Sequence, residues 1–205
     1  MRRSVILALA VVALSGATAT SVQADLTPIY VPFSYPVLQD GINAAQAGVN
    51  YVLVTDSDTY ASIVMKSGVP VLAATGQTPT IDAGTSAAIA ADWPSDATSA
   101  TILDGFIIHG GTTTVARVRG SGVIRNCTVE NEGQSGRIFG IVSTGSTLIQ
   151  DDSVVMTGEG DYGIYHTGGA PQILDCEVSV ADGQGIRVDC PSPTTTGSVA
   201  GCSVT

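Results

Sequence analysis

Leu103-Asp104-Gly105-Phe106-Ile107-Ile108 is the first of five segments between Thr101 and Thr205 that share one pattern. The other four are Ile124-Arg125-Asn126-Cys127-Thr128-Val129, Ile149-Gln150-Asp151-Asp152-Ser153-Val154, Ile173-Leu174-Asp175-Cys176-Glu177-Val178 and Val199-Ala200-Gly201-Cys202-Ser203-Val204. The third position is always Gly, Asn or Asp, the residue types that tolerate a positive φ. Two positions earlier stands Leu, Ile or Val, and three positions later stands Ile or Val. Each segment therefore predicts a strand, a one-residue left-handed bend and a second strand.

The spacing of these bends predicts the architecture. Gly105, Asn126, Asp151, Asp175 and Gly201 follow one another at intervals of 21, 25, 24 and 26 residues. Repeats of this length are typical of solenoids, in which each repeat stacks on the next. A second strand signal falls between the bends, at Gly140-Ile141, Gly163-Ile164 and Gly185-Ile186, and Arg117-Val118 fits the same slot less well. Three short strands per repeat predict an all-β, single right-handed parallel β-helix. A β-sandwich is the alternative, but it does not require the same bend residue in every repeat.

The first 24 residues have the pattern of a secretory signal. Arg2 and Arg3 precede an apolar run from Val5 to Leu14, and small residues precede Asp25, where we expect cleavage. We therefore expect a secreted protein that is extracellular, periplasmic or at the cell surface. The apolar run is too short for a membrane-spanning helix, and no later stretch is longer, so no membrane span is predicted.

The net charge limits the partners. The sequence has a net charge of −10, which would become −12 after loss of Arg2 and Arg3. Such a surface repels nucleic acid and anionic lipid, and it suits cations or neutral sugars. The alternative interpretation is that the acids only keep a secreted protein soluble.

The rest of the chain is predicted to form one domain. Residues 25–36 form an extended leader with three prolines, and a short amphipathic helix between Val37 and Ala47 is expected to cap the β-helix of residues 37–205. Residues 85–99 interrupt the repeat and predict a protruding loop, in which Trp93 covers the loop's own contact or stacks on a sugar. Because the chain stops one residue after an inward valine, we expect a C-terminal continuation or a partner to cover the open end.

Several short segments follow one another in an order that resembles that of a known group of proteins. They are Leu38-Gln39-Asp40-Gly41-Ile42-Asn43-Ala44-Ala45, Val52-Leu53-Val54, Thr59-Tyr60, Lys66-Ser67-Gly68-Val69 and Leu103-Asp104-Gly105-Phe106-Ile107-Ile108. This order is similar to that of pectin-lyase-like right-handed parallel β-helix proteins, over roughly residues 37–205. The superfamily includes pectate lyases, polygalacturonases, pectin esterases, phage tailspikes and secreted proteins without known activity. One departure is Asp56-Ser57-Asp58, where the family usually has Pro-Gly.

The position after each bend forms one predicted interior column. It reads Phe106, Cys127, Asp152, Cys176 and Cys202. Cys127 and Cys176 lie two coils apart, about 9.6 Å, which is beyond disulfide reach. Adjacent parallel side chains such as Cys176 and Cys202 rarely meet the required torsion. We therefore predict reduced, buried thiols in the column, whereas Cys190 lies outside it and could pair with any thiol that its loop reaches.

One residue pair raises the question of hydrolysis. Asp151-Asp152 superficially resembles the paired aspartates of polygalacturonases. Gly183-Gln184-Gly185, however, has Gln where that family has His, and Asp152 is predicted to point inward. A buried carboxyl group needs a polar partner, for which Ser143 and His166 are candidates. His109 and His166 are the only histidines, and both are predicted to be strand-end residues rather than catalysts.

The outer surface of the Gly-Ile strands is the predicted binding site. If Val118, Ile141, Ile164 and Ile186 point inward, the next residues point outward, and these are Arg119, Val142, Tyr165 and Arg187. Arg119, Tyr165 and Arg187 are the predicted ligand-binding residues for a polysaccharide or cell-surface glycan. Acids stand in the preceding loops at Glu130, Glu132, Glu159, Asp161 and Asp182, and Glu159 and Asp161 are the predicted Ca²⁺ ligands.

The strip resembles the outer groove in which pectate-lyase relatives bind calcium and acidic sugars. That resemblance implies a lyase in which an arginine acts as base, although the strip itself has no Asp or Glu at its four positions. The function expected first is a non-catalytic glycan-binding or structural module. The alternative is a lyase or hydrolase acting on acidic polysaccharide such as pectate. Carboxylates converging beside Arg119 or Arg187 would distinguish the two.

Overall fold

The computed structural model describes residues 26–131, 136–189 and 197–205. Within these ranges the chain is a parallel β-solenoid of about seven turns. The predicted secretory signal, Glu132 and Cys190 lie outside the described residues. None of the helices in the described ranges is long and apolar enough to cross a membrane.

The solenoid contains one short described helix, α1 (Leu38–Ala44), and nineteen described strands. The first ten strands are β1 (Thr27–Val31), β2 (Asn50–Val54), β3 (Thr59–Ala61), β4 (Ile63–Val64), β5 (Val71–Ala73), β6 (Thr80–Asp82), β7 (Ile89–Asp92), β8 (Ile102–Asp104), β9 (Ile107–His109) and β10 (Thr114–Gly120). The others are β11 (Val123–Arg125), β12 (Thr128–Asn131), β13 (Phe139–Gly145), β14 (Leu148–Gln150), β15 (Ser153–Thr167), β16 (Gln172–Leu174), β17 (Glu177–Asp189), β18 (Ser198–Ala200) and β19 (Ser203–Val204).

The strands stack into three parallel faces. The first face is an eight-stranded sheet in the order β1, β2, β5, β8, β11, β14, β16, β18. The second face contains β3, β6, β9, β12, the first parts of β15 and β17, and β19. The third face contains β4, β7, β10, β13 and the last parts of β15 and β17. The prediction of three strands per repeat is therefore correct.

The corner between the first and second faces is formed by the repeated bend residue. Asn126, Asp151 and Asp175 have φ of 52°, 54° and 54°, and Gly105 and Gly201 are also positive, at 85° and 68°. One left-handed residue breaks the alternation of sides once, so that apolar residues point inward both before and after the bend. The column thus turns the chain while keeping the core continuous.

The corner between the second and third faces depends on close backbone approach. A Cβ added to Gly163 would lie 2.3 Å from Val178 Cγ1 and 2.6 Å from the carbonyl oxygen of Gly185. These separations are shorter than van der Waals contact, so only glycine fits this corner. The Gly-Ile signal in the sequence is therefore a packing requirement.

The first coil begins earlier than predicted. Residues 27–31 of the predicted leader are β1, which pairs in parallel with β2. Helix α1 is shorter than the predicted segment and buries Leu38, Gly41 and Ile42. It packs beside β1, β2 and β4, where it covers apolar side chains of the first coil.

The prediction of a protruding loop at residues 85–99 is wrong. This segment contains β7, which lies in the third face between β4 and β10. Trp93 follows β7 and is fully buried, and its indole Nε1 donates to the carbonyl oxygen of Thr101 at 3.3 Å. The Ala-rich composition hid a strand whose small side chains Ala90 and Ala91 are both buried. A buried ring has no face available for a sugar.

Candidate functional site

The register of the third face changes the predicted binding row. Ala116, not Val118, pairs with Ile141, and Ile141 pairs with Ile164. Ala116 and Val118 are both fully buried, so the alternation pattern correctly predicted that Val118 points inward. The predicted pairing of β10 with β13, however, was shifted by two residues. The outward row on consecutive coils is Arg117, Val142, Tyr165 and Arg187. We call these four residues the arginine–tyrosine strip.

Arg119 lies outside this strip. It pairs with Thr144, two residues beyond Arg117 along the strand. Its Nε donates to the carbonyl oxygen of Trp93 at 2.6 Å, and its Nη2 lies 3.3 Å from Asp92 Oδ1. The prediction that Arg119 shares a row with Tyr165 is wrong, and the side chain instead holds the end of β7.

Asp92 pairs with both arginines of β10. Arg117 donates from Nε to Oδ1 at 2.8 Å and from Nη2 to Oδ2 at 2.5 Å, which is a bidentate arrangement. The hydrogen bond to Asp92 raises the pKa of Arg117 above its usual value. Because Arg119 approaches the same carboxylate, this end of the strip holds two guanidinium groups and one carboxylate.

A second ion pair lies at the opposite end of the strip. Arg187 donates to Asp189, with Nη2 at 3.0 Å from Oδ2, and the Tyr165 hydroxyl donates to the same Oδ2 at 3.1 Å. The hydrogen bond from Arg187 lowers the pKa of Asp189, and partial burial followed by the bond to Asp189 raises the pKa of Tyr165. Asp189 is therefore an ionised acceptor at neutral pH, and Tyr165 keeps its proton.

Three aromatic rings pack beside this ion pair. The ring centroids of Phe139 and Tyr162 are 5.1 Å apart with planes at 16°, and those of Phe139 and Tyr165 are 5.5 Å apart at 30°. The Arg187 guanidinium lies 5.6 Å from the Tyr165 centroid, and that of Arg137 lies 5.5 Å from the Tyr162 centroid. Such distances are those of cation–π contacts. The result is a partly exposed surface of rings and guanidinium groups.

Sequence reasoning missed Phe139 and Tyr162, although the repeat contained a usable signal. Each stands immediately before the glycine of a Gly-Ile pair, in Phe139-Gly140-Ile141 and Tyr162-Gly163-Ile164. Phe139 pairs with Tyr162 in the register of the third face. An aromatic residue at the same place in two successive repeats predicts stacked rings, because adjacent coils lie about 4.8 Å apart.

The predicted calcium ligands are not brought together. Asp161 is buried, and its two oxygens accept backbone N–H bonds from Ile138 at 2.8 Å and Gly158 at 3.1 Å. Its carboxylate therefore fixes a turn and is not available to a cation. Glu159 is exposed and pairs in register with Asp182 on the next coil. Among the described residues, no group of three or more His, Cys, Asp or Glu could hold a metal ion.

The two aspartates that resemble a hydrolase pair point in different directions. Asp151 is exposed at the bend, whereas Asp152 is only 2 % exposed inside the solenoid. Asp152 Oδ1 accepts the N–H of Cys127 at 2.8 Å, and Oδ2 has no partner. Burial raises the pKa of Asp152 to about 8, so the group is protonated at neutral pH. The two carboxyl groups cannot attack one substrate from opposite sides.

The two histidines occupy unrelated places. His166 and Ser143 are fully buried and pair with each other, with Ser143 Oγ 2.7 Å from Nδ1. Desolvation lowers the pKa of His166, partly offset by the Gly168 and Gly169 backbone. His109 lies on the second face with its Nδ1 3.4 Å from Asp82 Oδ1. Ser143 and His166 thus pair with each other rather than with Asp152, and both are buried away from any substrate.

A shallow groove on the first face is the other notable surface feature. It has a volume of about 850 Å³, and its floor includes Tyr51, Leu53, Leu72 and Ile102. Asp104 lies at one end, where it accepts a hydrogen bond from Arg125 Nε at 2.8 Å. The sequence patterns did not predict this groove, because its residues are scattered along the chain from Leu26 to Arg125. It is mainly apolar and lacks the stacked rings of the third face.

Comparisons with family models, with curated proteins and with solved structures found no match to the chain. The pectin-lyase-like resemblance therefore stays a prediction, and the parallel β-solenoid is what the structure shows.

Proposed function

We propose that the protein is a secreted, non-catalytic glycan-binding module, and that the glycan lies along the arginine–tyrosine strip. The observation that supports this most directly is the combination of stacked rings with two arginine–aspartate pairs on one surface. Aromatic rings contact the C–H face of a sugar, and charged pairs hydrogen-bond its hydroxyl groups. The N-terminal signal pattern is the basis for proposing secretion, which would bring the module to extracellular glycans.

The dimensions of the strip fit an oligosaccharide. Arg117 and Arg187 are separated by three rungs of the solenoid, which is about 14 Å at 4.8 Å per rung. That length corresponds to a few sugar units. Val142 and Tyr165 lie between the two charged ends, so the middle of the strip offers apolar and aromatic contact. A glycan chain would thus run parallel to the solenoid axis.

The charged groups favour binding over catalysis. A calcium-dependent lyase needs several converging oxygen ligands, but the carboxylates found beside Arg117 and Arg187 are Asp92 and Asp189, and each is engaged in an ion pair. An arginine that acts as a base must lose its proton readily. The hydrogen bond to Asp92 instead raises the pKa of Arg117, and the hydrogen bond to Asp189 raises the pKa of Arg187. The polysaccharide lyase remains the alternative, and its signature would be release of an unsaturated product absorbing in the ultraviolet.

The proposal is tested by binding of the intact protein to a panel of immobilised neutral and acidic polysaccharides. We expect Tyr165→Ala to weaken binding at least tenfold, because it removes both a ring and the hydroxyl that bonds Asp189. Tyr51→Ala, in the groove of the first face, is the matched control and should bind as the wild type does. Absence of binding to any polysaccharide, or loss of binding only in Tyr51→Ala, would overturn the proposal.

A further inference from the structure

The strip presents its charges mostly as pairs within the protein. Arg117 is held bidentately by Asp92, and Arg187 is held by Asp189. Each carboxylate already occupies the Nε–Nη2 edge of its guanidinium, which is one of the two edges at which an acidic sugar could bind bidentately. To bind there, a ligand carboxylate must displace a group that the chain holds in place.

The net charge of the whole protein also disfavours an acidic ligand. With a net charge of −10, the protein repels a polyanion as it approaches, and local arginines offset this repulsion only in part. Arg137 is the arginine near the strip without an ion pair in the described part of the chain, and it lies over the Tyr162 ring. A single exposed cation does not provide the row of positive charges that a polymer of acidic sugars would require.

A paired arginine and aspartate suit a neutral sugar. A hydroxyl group can donate one hydrogen bond and accept others. Two neighbouring hydroxyls can therefore donate to a free lone pair of the carboxylate and accept from a free N–H of the guanidinium without breaking the ion pair. Asp189 and Arg187 are each 42 % exposed at the side chain, so both are accessible for such bonds. The Asp92–Arg117 pair lies three rungs away, where Arg117 is 37 % and Asp92 is 17 % exposed at the side chain and Asp92 also accepts from Arg119.

We infer that the ligand of the strip is a neutral polysaccharide of pyranose units with adjacent hydroxyl groups, not an acidic polysaccharide. This inference rests on the proposed function. The two ion pairs bind hydroxyl groups at the ends of the strip, and the rings of Phe139 and Tyr165 contact sugar faces between them. Asp189 is a binding residue in this account, and not only a counter-ion of Arg187.

Calorimetric titration of the intact protein tests the ligand class. The probes are cellohexaose, mannohexaose and xylohexaose as neutral chains, and hexagalacturonate as the acidic chain, at 20 and 500 mM NaCl. We expect at least one neutral chain to bind at least tenfold more tightly than hexagalacturonate, with less than a twofold effect of salt, because no net charge is neutralised on binding. Tighter binding of hexagalacturonate that weakens at high salt would overturn the inference while leaving the proposed function intact.

The variant Asp189→Asn separates the two ligand classes further. For a neutral glycan, the loss of the charged acceptor should weaken binding about tenfold. For an acidic glycan, release of Arg187 should instead strengthen binding, and that result would contradict the inference. Glu159→Gln removes one exposed acid without touching the strip, and it serves as the charge-matched control. If none of the probes or panel polysaccharides binds the wild type, the proposed function itself fails.

Discussion

Asp152 is the residue at which the solenoid interior departs most from an apolar core. It lies in the column between Cys127 and Cys176, with one oxygen bonded to a backbone N–H and the other without a partner. The sequence pattern predicted that this position points inward, because it is equivalent to three cysteines and a phenylalanine. The pairing of Ser143 with His166 was not predicted from the sequence, although each stands two residues after the isoleucine of a Gly-Ile pair and the two lie in register on the third face. A buried carboxyl group of this kind couples stability to pH.

As the pH rises from about 4 to about 8, the titration of Asp152 should lower the stability of the protein. The folded-state pKa of about 8 is raised from the usual 3.8 by burial. In this window the folded state keeps a proton that the unfolded state releases, so unfolding becomes more favourable as pH rises. Asp152→Asn keeps the acceptor for the Cys127 N–H and removes the titration. Urea unfolding at pH 5, 7 and 9 should show the wild type losing stability relative to the variant, and parallel curves would contradict the assignment.

The bend column is tested at Asp151, where the φ of 54° is unfavourable for a β-branched residue. We expect Asp151→Val to lower the free energy of unfolding by about 1 kcal/mol or more. Asp151→Asn removes the same charge but tolerates the left-handed region, so it should be nearly neutral. Chemical denaturation measures both changes. An equal loss in the two variants would attribute the effect to charge and not to the backbone.

The interior thiols should differ in reactivity. Burial raises the pKa of Cys176 to about 12 and that of Cys127 well above its usual range, whereas Cys202 is half-buried. Of these three thiols, iodoacetamide at pH 8 should therefore modify Cys202 in the native protein and reach Cys127 and Cys176 only in urea. Peptide mass spectrometry identifies the modified sites. Modification of Cys127 at the same rate under both conditions, or a Cys127–Cys176 disulfide, would show that the column is wrong.

The strands and corners show which elements a repeat can predict. The first corner follows from bend residues that recur in five segments, and the second follows from the Gly-Ile pairs. The register of β10 could not be obtained in the same way, because both Ala116 and Val118 point inward and alternation alone cannot choose between them. Strand β7 was missed for a different reason. Its small, Ala-rich side chains give a weak strand signal, although they fit where β7 packs beside β4 and β10.

The corner at Gly163 should be intolerant of any side chain. Gly163→Ala places a methyl group 2.6 Å from the carbonyl oxygen of Gly185, which can be relieved only by moving backbone. We expect a loss of up to about 3 kcal/mol in the free energy of unfolding. Gly76→Ala is the comparison, since its Cβ meets nothing within 4 Å and only its φ of 81° opposes the change, for about 1 kcal/mol. If Gly163→Ala is the milder variant, close packing does not determine this corner.

At the scale of the whole molecule, the three faces differ in what they expose. The first face holds a shallow apolar groove, the second holds a half-buried histidine beside an aspartate, and the third holds the rings and ion pairs of the strip. The third face is also where β10, β13, β15 and β17 run for several residues in register. Longer strands give a flatter, more regular surface, along which a polymer can keep equivalent contacts on successive coils.

The position of the bound glycan is the most direct test of this account. Hydrogen exchange of the intact protein should be compared with and without a saturating oligosaccharide found by the binding panel. The account predicts slower exchange in β10, in β13 and in residues 162–167 and 184–189, with no change in β2, β5 and β8. Slower exchange in β2, β5 and β8 with an unchanged third face would contradict it, and would place the ligand in the apolar groove of the first face.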